Sequence, residues 1–166
     1  MSVPVVVLLG SDSDAESFGP AFGRLRELEI PFAVEVTSAH RTPARTVELI
    51  RRFEGQGARV FIAAAGGAAH LPGVVASHTL LPVLGVPIAS PLLGLDSLLS
   101  MAQMPGGIPV ATFGIGASGA LNAVLFAAAM LAHGDAALRG KLEAFRTEQR
   151  AMVERKSQSL QRKLAE

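Results

Sequence analysis

The stretch AAAGGAAHLPG, Ala63–Gly73, sets a single imidazole in a cradle of alanines and glycines. Gly66 and Gly67 carry no Cβ, so the backbone there can come close to a ligand. Ala68 and its alanine neighbours leave room and keep water out. His70 is therefore expected at the mouth of a dry pocket that favours the neutral ring. A core histidine satisfied by a carbonyl would have the same local sequence. Upstream, SAHRTP (Ser38–Pro43) places the His40 imidazole beside the Arg41 guanidinium just before a helix. The paired donors of a guanidinium suit a phosphate; a solvated turn is the plainer alternative, and Arg45 reads as a helix-surface charge. GSDSD (Gly10–Asp14) opens a helix. Its backbone N–H groups and the hydroxyls of Ser11 and Ser13 could hold an anion, and Asp14 could accept from a sugar's hydroxyl pair. The same five residues also describe an ordinary turn with a Ser/Asp cap. His78 and His133 stand without such company, and the gap from His70 to His78 does not match a helix-borne metal pair. GIGASG (Gly114–Gly119) fits a dinucleotide-binding fingerprint, but it follows the last strand, and no later strand brings an acidic residue to a ribose.

The elements that must position these loops follow from hydrophobic period. Val3–Gly10 is a continuous apolar run of the kind buried on both faces of a parallel sheet. Phe18, Phe22, Leu25 and Leu28 recur at helical spacing, with Gly19 and Pro20 expected inside that helix as weak points. Pro31–Val36 is a second strand. Thr42 is the expected N-cap and Pro43 the first residue of a helix carrying Val47, Ile50 and Phe53. Strands are expected at Ala58–Gly66, Leu81–Ser90 and Gly107–Gly114, and helices at Leu71–Thr79, Asp96–Met104 and Ser118–Ala132. A last helix opens at His133–Asp135 with Leu138, Leu142, Phe145 and Met152 on one side. Past Val153 that stripe ends, and the helix is expected to fray or to lie on a partner. Strand and helix alternate five times, which predicts an α/β protein: a three-layer doubly wound parallel sheet with a long C-terminal helix. Residues 1–134 form the α/β core and residues 135–166 a helical extension of one domain. In the strand order 2-1-3-4-5, ligands bind beyond the carboxyl ends of the strands, where GSDSD, SAHRTP and GGAAHLPG meet.

Composition narrows the function classes. Of 166 residues, 49% are hydrophobic and 17% charged, and from Val60 to Gly134 the one Asp, Glu, Lys or Arg is Asp96. Such a stretch covers a monomer's surface poorly, so a homo-oligomer is expected. A net charge of +1 gives no bulk attraction to nucleic acid, and no Trp or Tyr is present to stack on bases. The basic C-terminal segment interleaves its signs as a solvated helix face does. Without cysteine there is neither disulfide nor thiol chemistry. The N-terminus lacks a signal-peptide pattern, and the apolar run Ala120–Ala132 falls short of a membrane span. A cytoplasmic protein with no membrane partner is expected.

Taken together, GSDSD, SAHRTP and AGGAAHLPG, followed by PVLGVP, LDSLLSMAQMPGGIPVAT and GALNA, resemble the PurE family of purine biosynthesis from about Val5 to Ala132. The form GGAAHLPG is similar to the mutase branch rather than to the branch that carboxylates aminoimidazole ribonucleotide directly. The resemblance implies a flavodoxin-like fold, a homo-octamer with sites between subunits, and isomerisation of N5-carboxyaminoimidazole ribonucleotide to 4-carboxy-5-aminoimidazole ribonucleotide. It implies no metal and no cofactor. It implies His70 as acid/base, His40 and the backbone of Gly66–Ala69 lining the carboxylate site, Ser11, Ser13 and Arg41 on the phosphate, and Asp14 on the ribose. Ser38, Gly66, Gly67, Ala68 and Leu71 would complete the substrate contacts. Ala15 and Phe18 stand where family members commonly carry Trp and Met, and the family's GKAG reads GASG here, with Ala117 in place of lysine. The alternatives left open by the residues are the direct carboxylase and a non-catalytic nucleotide- or flavin-binding module.

Overall fold

Val5–Leu9 (β1) is five aliphatic residues, all buried. A strand can bury every side chain only when both faces of its sheet are covered. The computed structural model, which describes residues 2–165, supplies that cover. β1 pairs in parallel with β2 (Phe32–Val36) on one side and β3 (Val60–Ala65) on the other. β4 (Val83–Pro87) and β5 (Ala111–Thr112) extend the sheet to the order β2-β1-β3-β4-β5. This is the flavodoxin-like α/β order expected from the alternation of elements. The helices are α1 (Gly19–Glu27), α2 (Pro43–Gly55), α3 (Leu71–Ser77), α4 (Leu95–Ala102), α5 (Ala117–Leu131) and α6 (Ala136–Ala165).

Side chains alternate across a strand, and the two faces of the sheet divide accordingly. Val6 and Leu8 of β1 and Phe61, Ala63 and Ala65 of β3 share a core with Leu49, Ile50 and Phe53 of α2, Leu71, Val75 and Ala76 of α3, and Met101 of α4. β2 is an edge strand. Its Val34 and Val36 stay exposed, and Glu35 is held by Arg45 and Arg52 of α2. Arg45 is thus a helix-surface charge with a partner on the neighbouring strand.

Several expected boundaries shift for identifiable reasons. Asp12–Phe18 is a 3₁₀ segment, and α1 begins only at Gly19. Pro20 therefore sits in the first turn, where its missing N–H costs nothing, rather than inside a helix. Thr42 precedes α2 but caps nothing with its side chain, because its hydroxyl turns back to Ser38. β5 keeps two residues of the eight expected. It is the sheet's other edge, and Pro109 just before it can donate no ladder hydrogen bond. Phe18 is fully buried, 5.5 Å from Phe22 between ring centroids, so it belongs to the core.

The chain forms two compact units, Met1–Ala127 and Ala128–Glu166, with the break inside α5. In the second unit α6 runs 30 residues without fraying. Asp135 Oδ1 accepts from the N–H of Leu138 at 3.0 Å, and Arg139 pairs with Glu143 one turn on. Beyond Val153 its side chains are exposed, yet the helix continues. The apolar stretch is also longer than expected. Ala117–Gly134 is apolar and long enough, by composition, to cross a membrane, and 39% of it is buried.

Gly119 gives the sharpest test of this packing. A Cβ there would lie 1.6 Å from the carbonyl oxygen of Gly114, which is backbone and cannot step aside. Gly140, on α6, has nothing within 4 Å. Gly119→Ala is expected to cost on the order of 3 kcal/mol or more, whereas Gly140→Ala gains up to about 1 kcal/mol. Denaturant unfolding of the two variants beside the parent measures both, and an unaffected Gly119→Ala would contradict the packing.

Candidate functional site

Because β1 lies between β2 and β3 and all three are parallel, the loops leaving their carboxyl ends share one edge of the sheet. They enclose a cleft of about 440 Å³ lined by the first loop's Gly10, Ser11 and Asp14, the second loop's Ser38–Arg41, and Ala65, Gly66, Ala68 and Leu71 from the third. Ser13 and His70 do not line it directly but are bonded to residues that do. The Ser13 hydroxyl is 2.9 Å from that of Ser11, and His70 Nδ1 lies 2.8 Å from His40 Nε2.

The first loop is a capping box. Ser11 accepts from the N–H of Ser13 at 3.4 Å, and Asp14 Oδ2 accepts from the N–H of Ser11 at 3.0 Å. Asp14 is buried, and that burial holds its carboxyl above the ordinary carboxylate range, against the lowering pull of the Ser11 and Gly10 N–H groups. Asp12 is a second, smaller cause in the same direction.

The second loop is fastened by hydroxyls. Thr42 Oγ1 accepts from the Ser38 N–H at 3.0 Å and lies 3.3 Å from Thr37 Oγ1. Thr37 Oγ1 in turn lies 2.8 Å from Thr46 Oγ1, and both of those threonines are buried. Ser38 Oγ accepts from the N–H of Arg41 at 3.1 Å. His40 and Arg41 are thus exposed side chains on a tightly tied backbone.

The third loop departs from expectation in two ways. His70 is exposed, not sealed in a dry mouth, and among the described residues no element covers its ring. Its ring meets that of His40 edge-on, with centroids 4.9 Å apart and 76° between planes. Gly67 stands behind the cleft wall with φ of +65°, and its N–H donates to Ser97 Oγ at 2.9 Å. Gly66 and Ala68 on either side line the cleft, and neither N–H meets an acceptor among the described residues. Ser97, Thr37 and Thr46 were not marked by the sequence reading. In the sequence Ser97 shows only as a hydroxyl in the apolar LDSLLSM, Thr37 as one just past a strand, and Thr46 as one polar residue among several on α2.

The GIGASG loop lies outside the cleft. The Gly116 N–H, which a dinucleotide phosphate would need, donates to the Pro87 carbonyl at 2.8 Å, and Gly119 is required by its contact with Gly114. No group of three or more His, Asp or Glu side chains placed to hold a metal ion occurs among the described residues.

A flavodoxin-like sheet with a histidine pair beside a cleft that carries hydroxyls, a carboxylate and a guanidinium is a concave site of the kind that binds small molecules. Comparison with known proteins is narrower. The profile of the AIR carboxylase family matches residues 4–152, and the chain belongs to that family, the PurE proteins. It is 52% identical over 150 residues to the N5-carboxyaminoimidazole ribonucleotide mutase of Haemophilus influenzae, covering 90% of this chain and 92% of that one. The enzyme of the same name from Brucella melitensis is 51% identical over 92% of this chain and 95% of its own length. The one from Bacillus subtilis is 51% identical over 84% and 86%. Among solved structures, Treponema denticola PurE superposes with a TM-score of 0.82 at 24% identity, covering 93% of this chain and 96% of that one. A variant of the same organism's PurE2 gives 0.84 at 23% identity, over 95% and 98%.

Asp14 separates binding from stability. Its folded carboxyl titrates above the unfolded one, so folding takes up a proton in that window. The associated stability is present below the unfolded value and lost as pH rises through the folded one, leaving ionised Asp14 a burden at neutral pH. Asp14→Asn, which keeps an acceptor for the Ser11 N–H, is expected to hold or raise Tm at pH 7 and to show no gain near pH 3. Thermal unfolding at the two pH values checks the sign; a Tm that falls at pH 7 and not at pH 3 would reverse it.

Proposed function

We propose that this chain is an isomerase of purine biosynthesis that converts N5-carboxyaminoimidazole ribonucleotide to 4-carboxy-5-aminoimidazole ribonucleotide by decarboxylation and recarboxylation. The observation that carries the reading is the His40–His70 hydrogen bond at 2.8 Å, beside a cleft whose other walls carry Ser11, Asp14, Ser38 and Arg41. The names of the relatives over most of the chain support it.

In this reading Ser11, Ser13 and Arg41 take the substrate phosphate and Asp14 the ribose diol. The carbamate N–C bond breaks as the nitrogen accepts a proton from His70, releasing carbon dioxide. The ring carbon then attacks that carbon dioxide, and the proton on this carbon returns to His70, so no atom is gained or lost. The histidine pair suits both halves. Its bond occupies Nδ1 of His70 and leaves Nε2 for the substrate. When the pair carries an extra proton, His70 gives the hydrogen on Nε2 and is left neutral; the lone pair then on Nε2 takes the proton from the ring carbon and restores the pair. In the same reading the N–H groups of Gly66 and Ala68 hold the carboxylate or the departing carbon dioxide, and trapping by proximity supplies the rest.

Carbon dioxide must not escape, and this chain leaves both histidines exposed. A homo-oligomer, in our reading an octamer, supplies the missing cover. The charge-poor stretch exposes Leu80, Leu92, Leu93, Leu95 and Leu99, Leu80 completely and Leu93 to 81%, which is the surface a subunit contact would bury. We place the enzyme in the cytoplasm and take it to need no cofactor. The direct carboxylase remains the second reading because the family's own description is AIR carboxylase.

Supplying either the carbamate substrate or aminoimidazole ribonucleotide with bicarbonate distinguishes the two readings. The mutase converts the first at low concentration and the second only when bicarbonate is abundant. His70→Asn is expected to lower turnover by about 10²–10⁴-fold with substrate affinity kept. Arg41→Ala is expected to weaken affinity by about 10–100-fold, as loss of a charged hydrogen bond does. Near-parental turnover in the first variant or unchanged affinity in the second would overturn the assigned role.

A further inference from the structure

We propose that Ser97 is a positioning residue for the reaction: it fixes the shape of the histidine loop from behind and so aligns the Gly66 and Ala68 N–H groups and His70 against the cleft. The proposal rests on the mutase reading and assigns work to a motif, the Asp96–Ser97 pair of LDSLLSM, that the site itself leaves unused.

Ser97 is completely buried on α4. Its hydroxyl accepts from the Gly67 N–H at 2.9 Å and donates to the Ile88 carbonyl at 2.8 Å, just past β4. One hydroxyl therefore ties the loop after β3 to the end of β4, using both its donor and an acceptor site. Gly67 is in the left-handed region, with φ of +65° and nothing within 4 Å of a would-be Cβ. Its glycine is demanded by conformation rather than by space. In that conformation Gly67 turns its N–H to Ser97, while its neighbours Gly66 and Ala68 line the cleft. Ser100 lies behind the same peptide; its hydroxyl is 3.4 Å from the Gly67 carbonyl and 2.7 Å from that of Asp96.

Ser97 is itself held in place. Asp96 Oδ1 accepts from the Ser97 N–H at 2.9 Å and from the Ser90 hydroxyl. Those hydrogen bonds, that of Ser90 first, hold the Asp96 carboxyl below the ordinary range. Ser90 Oγ also accepts from the N–H groups of Leu92 and Gly94, at 3.2 and 3.1 Å. The lone charge between Val60 and Gly134 thus orders the turn that delivers Ser97.

The test compares Ser97→Ala, Ser97→Thr and the parent in the mutase assay, at a temperature where unfolding curves show all three folded. If Ser97 positions the loop, Ser97→Ala lowers kcat at least tenfold while KM moves less than threefold, since the phosphate and ribose contacts lie on other loops. Ser97→Thr, which keeps the hydroxyl, recovers most of kcat. Amide exchange at Gly67–His70 accelerates in Ser97→Ala and not in Ser97→Thr. A Ser97→Ala enzyme with parental kcat and a lowered Tm would make the serine merely structural and sink the proposal. A parent protein with no mutase turnover would instead sink the functional reading on which it rests. Should Ser97→Ala fail to fold, Ser97→Thr and Ser97→Cys carry the comparison: the weak thiol donor predicts an intermediate kcat, and equal values in both would overturn the assignment.

Discussion

A hydrogen bond between two imidazoles tolerates little error in the placement of either ring, yet here both rings are exposed. Packing cannot be what holds them. The precision has to come from the backbones of two loops that are 30 residues apart in sequence, and the rest of the site serves that requirement. The parallel sheet brings the carboxyl ends of β2 and β3 to either side of β1. Buried hydroxyls then remove the remaining freedom: Thr37 and Thr46 behind His40, with the exposed Thr42 bonded to Thr37, and Ser97 behind His70. An unpaired buried hydroxyl costs about 1–3 kcal/mol, so each such hydroxyl has a strong reason to keep its partner and resists loop motion more than a surface contact would.

The same economy appears in charge. On the edge strand, Glu35 meets Arg45 and Arg52 where water screens the charges. Asp14 is placed otherwise. It is buried, its carboxyl is pushed upward, and it is tied to the loop by a backbone N–H. In the reading proposed above, that carboxyl meets the ribose diol. Asp96 shows the opposite sign. Its hydrogen bonds favour the ionised form, and its place is in the framework behind the site.

Much of this was legible in the sequence. The continuous apolar runs of β1, β3 and β4 and the alternation with helices gave the sheet order, and the order gave the convergence of GSDSD, SAHRTP and GGAAHLPG. What could not be read depends on partners far along the chain. Nothing near Ser97 announces that Gly67 will need its hydroxyl, and nothing near Thr42 shows that its side chain will turn to Ser38 instead of capping α2. Pro20 was misplaced because a 3₁₀ segment and a helical turn share one hydrophobic spacing until the hydrogen bonds are seen. The exposure of His70 was hidden for a different reason: alanines and glycines predict a small cavity, but whether a wall closes over it depends on atoms the loop does not contain.

Gly66–Gly73 and Gly114–Gly119 make the general point together. Both are glycine-rich turns after a strand, and by composition the second is the stronger match to a phosphate-binding loop. In the second, the Gly116 N–H is spent on the Pro87 carbonyl, and Gly119 lies so close to Gly114 that no side chain fits. Its glycines close a turn. In the first, a single left-handed glycine hands its N–H to Ser97, and the peptides on either side line the cleft. The difference lies in where the donors are spent. A glycine-rich loop can bind only with the N–H groups its own protein has left unpaired, so its function is decided by the acceptors packed behind it.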